Sequence, residues 1–303
     1  MVRGMQDAHT VVFSALITAV QEFVRQIFRR AGVLVFATAA IFVHGARSHA
    51  QTPIVGDSIH AGKTLFTWRD AALAAGFTGL TVAMFPVDRS FAQRLQDSSN
   101  QASHFLKNAS RGIERFADPG SIIIGASLYG LGRVAHWRDV ADLGLHGFEA
   151  VAYSGIITAV LKDVAGRARP TVSADTSSQD FGFGRGFNRG GGYKSFPSGH
   201  ATAAFAAASV VTSESQRWWP NGIWVVAPAM YGGATLVGLS RMYNNAHWAS
   251  DVVLGAAIGT FSGIKVVRYS HGHTDNVIDR WLLGVRAMPM PDGRVGVGWS
   301  AQR

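Results

Sequence analysis

The chain has 303 residues, 48% of them hydrophobic and 16% charged, against roughly 25% charged in an average soluble domain, which excludes a disordered chain. Its 28 Lys and Arg against 19 Asp and Glu give a formal charge of +9, favouring anionic partners: phosphorylated small molecules, lipid headgroups or nucleic acid. With no cysteine, a disulfide framework, a thiol nucleophile, Cys-ligated zinc and iron–sulfur clusters are all excluded, while an oxidising compartment remains open.

The first fifty residues read as a targeting segment. Arg25, Arg29 and Arg30 precede an uncharged apolar run from Ala31 to Val43, and Ser48-His49-Ala50 before Gln51 approximates a small-x-small cleavage site. That run is shorter than the about 20 residues a spanning helix needs, so a signal peptide is expected over 1–50, with an uncleaved N-terminal anchor as the alternative. The segment carries five Arg and two acids, so its removal would leave a formal charge of +6.

Beyond it, helices are predicted at 68–86, 121–137, 143–166, 199–213, 222–241 and 247–267, because each apolar stretch exceeds strand length and favours Ala and Leu. Between the first two, Phe105, Leu106, Ile113 and Phe116 form the stripe of an amphipathic helix, and Asp118-Pro119-Gly120 supplies a turn. In the tail, Trp281 to Met288 and Arg294 to Ser300 flank Pro291-Asp292-Gly293, the pattern of a short β-hairpin or of a frayed terminus. The expected organisation is a leader over 1–50, an all-α helical domain over 51–270 with the informative motifs at 162–251, and a tail over 271–303.

Three clusters carry chemistry. Lys162 and Arg169 are about two helical turns apart as a helix ends at Pro170, which would put both cations near one face; such a pair is also an ordinary solvated helix end. Pro197-Ser198-Gly199-His200 runs into an Ala-rich helix whose first N–H groups point outward as a ready anion site, with His200 able to donate a proton; Ser198 could equally be a plain N-cap. In Ser240-Arg241 followed by His247 and Asp251, the last two share a helix face, so Asp251 can orient the imidazole and leave its other nitrogen as a nucleophile, although a surface hydrogen bond would look the same. Arg241 adds a fork of donors suited to phosphate oxygens.

Together the clusters resemble the type 2 phosphatidic acid phosphatase and vanadium haloperoxidase superfamily, whose pattern is Lys-x6-Arg-Pro, then Pro-Ser-Gly-His, then Ser-Arg-x5-His-x3-Asp; each specified position is present, in order. The resemblance implies a helical bundle in which Lys162, Arg169 and Arg241 clamp the phosphoryl oxygens and Ser198 and the Gly199 N–H complete the cradle. His247 would attack phosphorus, Asp251 would hold its ring, and His200 would protonate the leaving oxygen and then activate water. Three cations and helix N–H groups can stabilise phosphoryl transfer without a metal, so no cofactor and no metal ligands are expected. The rival readings are a vanadate-dependent haloperoxidase, with vanadate at His247, and a non-catalytic membrane protein retaining the motifs.

Residues 171–196 are too long for a plain connection. Their glycines, Phe181, Phe183, Phe187, Tyr193, Arg185, Arg189 and Lys194 suggest a mobile lid that contacts the substrate's organic part and steers its phosphate; a floppy insertion is the alternative. A leader followed by a soluble body predicts a periplasmic or secreted enzyme. A retained cytoplasmic N-terminus followed by six spans would instead make an integral inner-membrane protein with its site facing the periplasm. The expected partner is a phosphorylated lipid or small-molecule substrate; no basic-aromatic module points to nucleic acid. Phosphatidate, an isoprenoid diphosphate, a lipid A phosphate and soluble monoesters all present the same phosphoryl end.

Overall fold

Local sequence signals fix where the first helices begin and turn. In the computed structural model, which describes residues 66–117, 120–172, 177–273, 276–289 and 295–299, the expected leader lies outside the described residues, as do Asp118 and Pro119 of the predicted turn and the Pro291-Asp292-Gly293 tip. Thr67 opens α1 (Trp68–Met84) with a capping box: its N–H donates to Asp70 Oδ2 at 2.7 Å while its side chain accepts from the Asp70 N–H. Pro86 then sits in a 3-10 turn (Phe85–Val87) that hands the chain to α2 (Asp88–Leu95).

The short α3 (Ser98–Gln101) and the strongly amphipathic α4 (His104–Ala117) follow, then α5 (Gly120–Val134) and α6 (Arg138–Ala165). Helix α6 starts five residues before the predicted 143, because Arg138, Asp139 and Asp142 form a charged first turn that dilutes the apolar pattern. After α7 (Arg185–Asn188) come three long helices, α8 (Gly199–Trp218), α9 (Ile223–Tyr243) and α10 (Ala249–Gly272). Helix α10 runs past the predicted 267, and two cations flanking that point, Lys265 before it and Arg268 after it, have a tertiary partner: their Nζ and Nη1 reach Asp70 Oδ2 at 2.5 and 3.0 Å.

The tail forms α11 (Val277–Leu282) and a hairpin in which β1 (Val285–Pro289) pairs antiparallel with β2 (Val295–Trp299), Ala287 opposite Val297. Trp281 and Leu282 therefore end a helix instead of opening the strand predicted from 281.

Helix α8 is central and packs on α6, α9 and α10, while α5 lies along α6. Glycine makes the two tightest crossings. Gly255, Gly259 and Gly263 repeat every four residues along α10, and their bare faces meet the α8 backbone: a Cβ at Gly255 would stand 2.5 Å from Ser198 O, and one at Gly259 would collide with Thr202 O. On the other side, a Cβ at Gly144 of α6 would strike the Tyr129 N of α5. A Gly259→Ala variant is expected to lose about 1–3 kcal/mol by forcing α8 and α10 apart, seen as a lowered unfolding midpoint.

Among the described residues, four helical stretches are long and apolar enough to cross a membrane: Trp68–Leu95, Arg138–Ala165, Pro220–Tyr243 and Ala249–Gly272. Their outward faces are apolar. Ile156 is 63% exposed on α6 and Val225 69% on α9, and Leu131 and Val134 are likewise exposed on the shorter α5. A surface of this kind suits lipid contact better than water.

Candidate active site

Four helix ends converge on one pocket, and each brings a motif. Lys162 lies in the last turn of α6, which stops at Gly166, the left-handed residue (φ 53°) that caps it. Its ammonium donates to Lys194 O at 2.8 Å, and its Cε would lie 3.7 Å from a Cβ at Gly199, so Lys162 rests against the start of α8. Arg169 follows on the exit strand, with Nε donating to Gly191 O at 2.9 Å. Burial, then repulsion from Arg241, lowers the Arg169 pKa, as expected of cations gathered around an anion-sized space.

Ser198 caps α8, its side chain accepting from the Ala201 N–H, and its own N–H donates to Asp251 O at 2.9 Å. That bond stitches the start of α8 to the start of α10. At the end of α9, Arg241 is buried, pairs through Nη1 with Glu114 on α4, and keeps a buried Nε with no hydrogen-bond partner among the described residues. His200 Nε2 stands 3.7 Å from the same Glu114 carboxylate.

His247 is buried just before α10. Its Nδ1 is 2.8 Å from Ser195 O and 3.4 Å from Asp251 Oδ2. Both neighbours are acceptors, so Nδ1 carries the proton and Nε2 keeps its lone pair. Asp251 is one of two acceptors there, and the nearer is a backbone carbonyl. Burial, reinforced by the Lys162 and Arg169 charges and opposed by Asp251, holds the His247 pKa at about 3, so the ring is neutral near pH 7.

Asp251 is held from all sides. Oδ2 accepts from the Ser195 hydroxyl at 2.5 Å and the Trp248 N–H at 2.8 Å, and Oδ1 accepts from Arg167 Nη1 at 2.6 Å. Arg167 is a residue the motif reading passed over. It is fully buried, its Nη2 reaches Asp88 Oδ2 at 2.7 Å, and its guanidinium sits among the rings of Phe85, Phe181, Phe196 and Trp248. Asp88 in turn accepts from the N–H and hydroxyl of Ser250 at 2.8 and 2.6 Å. Glu114, also missed, meets Arg241, His200 and the Asn244 amide, the last at 2.9 Å.

The described part of the 171–196 connection is a tied strap, which corrects the mobile-lid reading. Ala168 N–H donates to Asp180 O at 2.9 Å, Gly184 N–H to Val164 O at 2.8 Å and Ser195 N–H to Arg167 O at 3.1 Å. Two cations expected to steer substrate are already paired, Arg185 with Asp180 and Lys194 with Asp163. Phe181 meets Phe85 and Phe196 edge to face while staying partly exposed, and Phe183 and Phe187 are more exposed still.

Residues 144–275 match the family model described as the PAP2 superfamily. The chain is 34% identical over 130 residues to a lipid A 1-phosphatase of Porphyromonas gingivalis, covering 41% of this chain and 27% of that one. It is 32% identical over 155 residues to a lipid A 1-phosphatase of Rhizobium etli, covering 50% and 61%. The match therefore spans less than two thirds of either relative's length. Among solved structures, the transmembrane PAP2 type phosphatidylglycerolphosphate phosphatase of Bacillus subtilis shares the fold with a TM-score of 0.52 and 20% identity, over 68% of this chain and 97% of that one. Ordered motifs, converging helix ends and the match over residues 144–275 agree that this part of the chain is similar to the PAP2 superfamily.

Proposed function

We propose that this chain is a membrane-embedded phosphatase that hydrolyses a lipid phosphate ester through a phosphohistidine intermediate on His247. The observation that carries the lipid reading is an apolar cleft of about 380 Å³ beside the phosphate-binding ends of the helices. Its wall includes Ala204, one turn beyond His200 on α8, Val237, one turn before Arg241 on α9, and Ile113, next to Glu114 on α4. A charged pocket beside an apolar cleft matches a molecule with a phosphate at one end and hydrocarbon behind it. The names of the two relatives point the same way, toward the 1-phosphate of a lipid A-like glycolipid.

In this reading His247 Nε2 attacks phosphorus in line with the leaving oxygen while the proton stays on Nδ1, donated toward the Ser195 and Asp251 acceptors, which stabilise the cation that forms. Lys162, Arg169, Arg241 and the N–H groups opening α8 balance charge on the equatorial oxygens. His200 gives its proton to the departing alkoxide, then takes one from the water that cleaves the N–P bond, releasing phosphate and restoring His247. Glu114 touches both Arg241 and His200, so an arriving phosphate competes with its carboxylate.

Phosphate release from purified protein tests this across lipid A, phosphatidate, phosphatidylglycerolphosphate, an isoprenyl diphosphate and p-nitrophenyl phosphate, with and without chelator. A kcat/KM for at least one lipid well above that for p-nitrophenyl phosphate, unchanged by chelator, is the expected result; equal values would refute the lipid assignment. Alkaline carbonate extraction tests residence: the protein should stay in the membrane pellet, and release to the supernatant would restore the soluble periplasmic alternative.

A further inference from the structure

A second polar cluster lies at the other end of the bundle. His146 on α6, Glu214 on α8 and His271 on α10 are each at least 14 residues along their helices from Lys162, His200 and Asp251, about 20 Å or more at 1.5 Å per residue. Glu214 Oε1 is 2.6 Å from His146 Nδ1 and 2.9 Å from His271 Nε2, and the two rings cross edge to face with centroids 5.2 Å apart. One ligand atom from each of the three lies within 4.8 Å of the others. His146 and Glu214 are buried, whereas His271 keeps 22% of its side chain open, an entry path.

Hydrogen bonds alone leave this cluster unbalanced. Two imidazole N–H groups satisfy Glu214, yet His146 Nε2, Glu149 Oε1 and Asp279 Oδ1 are buried without a hydrogen-bond partner among the described residues. Asp142 and Glu149 stand one turn before and one turn after His146 on the same face of α6, and Asp279 Oδ2 lies 3.6 Å from His146 Nε2. Four carboxylates thus gather around two histidines, with Arg217 a half-exposed cation 3.8 Å from Glu214 at the rim. Buried carboxylates at that density need positive charge.

We propose that His146, Glu214 and His271 form a binding site for a zinc-class divalent cation that fastens the ends of α6, α8 and α10. Two imidazoles and one carboxylate are a donor set suited to Zn²⁺, with a fourth position left for water. Asp279 stands behind His146 on its other ring nitrogen, where an outer carboxylate fixes the tautomer of a ligating imidazole. The present donor separations must open by several tenths of an ångström to hold a common ion at about 2.0–2.2 Å; the partly exposed His271 can move away from Glu214, and a turn of the Glu214 carboxylate must open its 2.6 Å contact with His146. The site is separate from the phosphoryl chemistry and independent of the substrate proposed above.

Metal uptake by the full chain in detergent tests it. Protein stripped with chelator is titrated with Zn²⁺ and with Co²⁺, desalted, and its metal content measured by mass spectrometry. About one equivalent per chain is expected, with visible Co²⁺ absorption bands of a low-coordinate site and a raised unfolding midpoint. His271→Ala, or Glu214→Gln if the first variant is not monodisperse, should abolish the uptake. No stoichiometric uptake by the unaltered protein would overturn the proposal, leaving a hydrogen-bonded carboxylate–imidazole cluster. Undiminished uptake by a folded variant would equally overturn it, by placing the metal elsewhere.

Discussion

Replacing His247 with Gln should cut kcat on the best lipid substrate by about 10⁴-fold or more, because it removes the proposed nucleophile while keeping a polar side chain of similar reach. The side chain is buried between Ser195 O and Asp251, and a Gln amide can still donate to the first of these, so folding should survive. Unchanged unfolding with turnover lost is the expected pair of results. Full turnover by the variant would remove His247 from the chemistry. Acid quenching of the parent enzyme during turnover of ³²P-labelled substrate should trap an acid-labile protein phosphate that the variant lacks. The pH profile carries a further expectation. With the His247 pKa held at about 3 by burial, the nucleophile is already unprotonated across the neutral range, so a fall in kcat/KM between pH 7 and 5 would report another group.

The second large effect is expected at Arg167. An Arg167→Met variant keeps much of the side-chain volume among Phe85, Phe181, Phe196 and Trp248 but leaves Asp88 and Asp251 without their shared cation. Breaking a buried ion pair from one side typically costs about 3–5 kcal/mol, enough to lower the unfolding midpoint sharply and reduce the yield of folded protein. Arg167→Lys keeps the charge but cannot reproduce the fork that reaches Asp251 and Asp88 together, so it should retain the fold better than Met while losing kcat through a misplaced Asp251. A Met variant as stable as the parent would show that the web contributes little. Arg167 touches no reacting atom; it positions the residue that positions the nucleophile.

The contrast between Arg167 and Arg169 shows what the sequence can and cannot convey. Arg169 belongs to a spaced pattern that occurs in order with two others, so its grouping with Arg241 and Asp251 could be read from the chain alone. Arg167, two residues earlier, carries no spacing signal, and its partner Asp88 lies 79 residues upstream. Only the folded chain brings them together. Glu114 is hidden in the same way, because an acid on an amphipathic helix looks like ordinary solvated surface until the helix lands beside Arg241. Helix positions were legible from apolar length, and so were the starts at Trp68 and Gly199, whereas other ends were not. Charges at Arg138, Asp139 and Asp142 masked the start of α6, and the reach of α10 past residue 267 coincides with a distant partner, Asp70, that no local pattern reveals. The 171–196 strap was misread for a related reason: its glycines suggest mobility, yet its backbone is hydrogen-bonded to the exit of α6.

The glycine repeat on α10 reaches beyond stability. Helix α8 brings His200 and α10 follows directly from His247, so backbone-to-backbone contact at Gly255 and Gly259 sets the gap between the proposed proton donor and the proposed nucleophile. The closest approaches at Gly255 and Gly259 are to backbone oxygens, which cannot change rotamer, so this wall of the pocket has little freedom to widen. Accommodation of leaving groups of different bulk then falls to the facing wall, where α4 brings Glu114 and α9 brings Arg241. Substitutions on α4 should therefore retune which substrates are accepted, while those along the repeat change how well any substrate reacts.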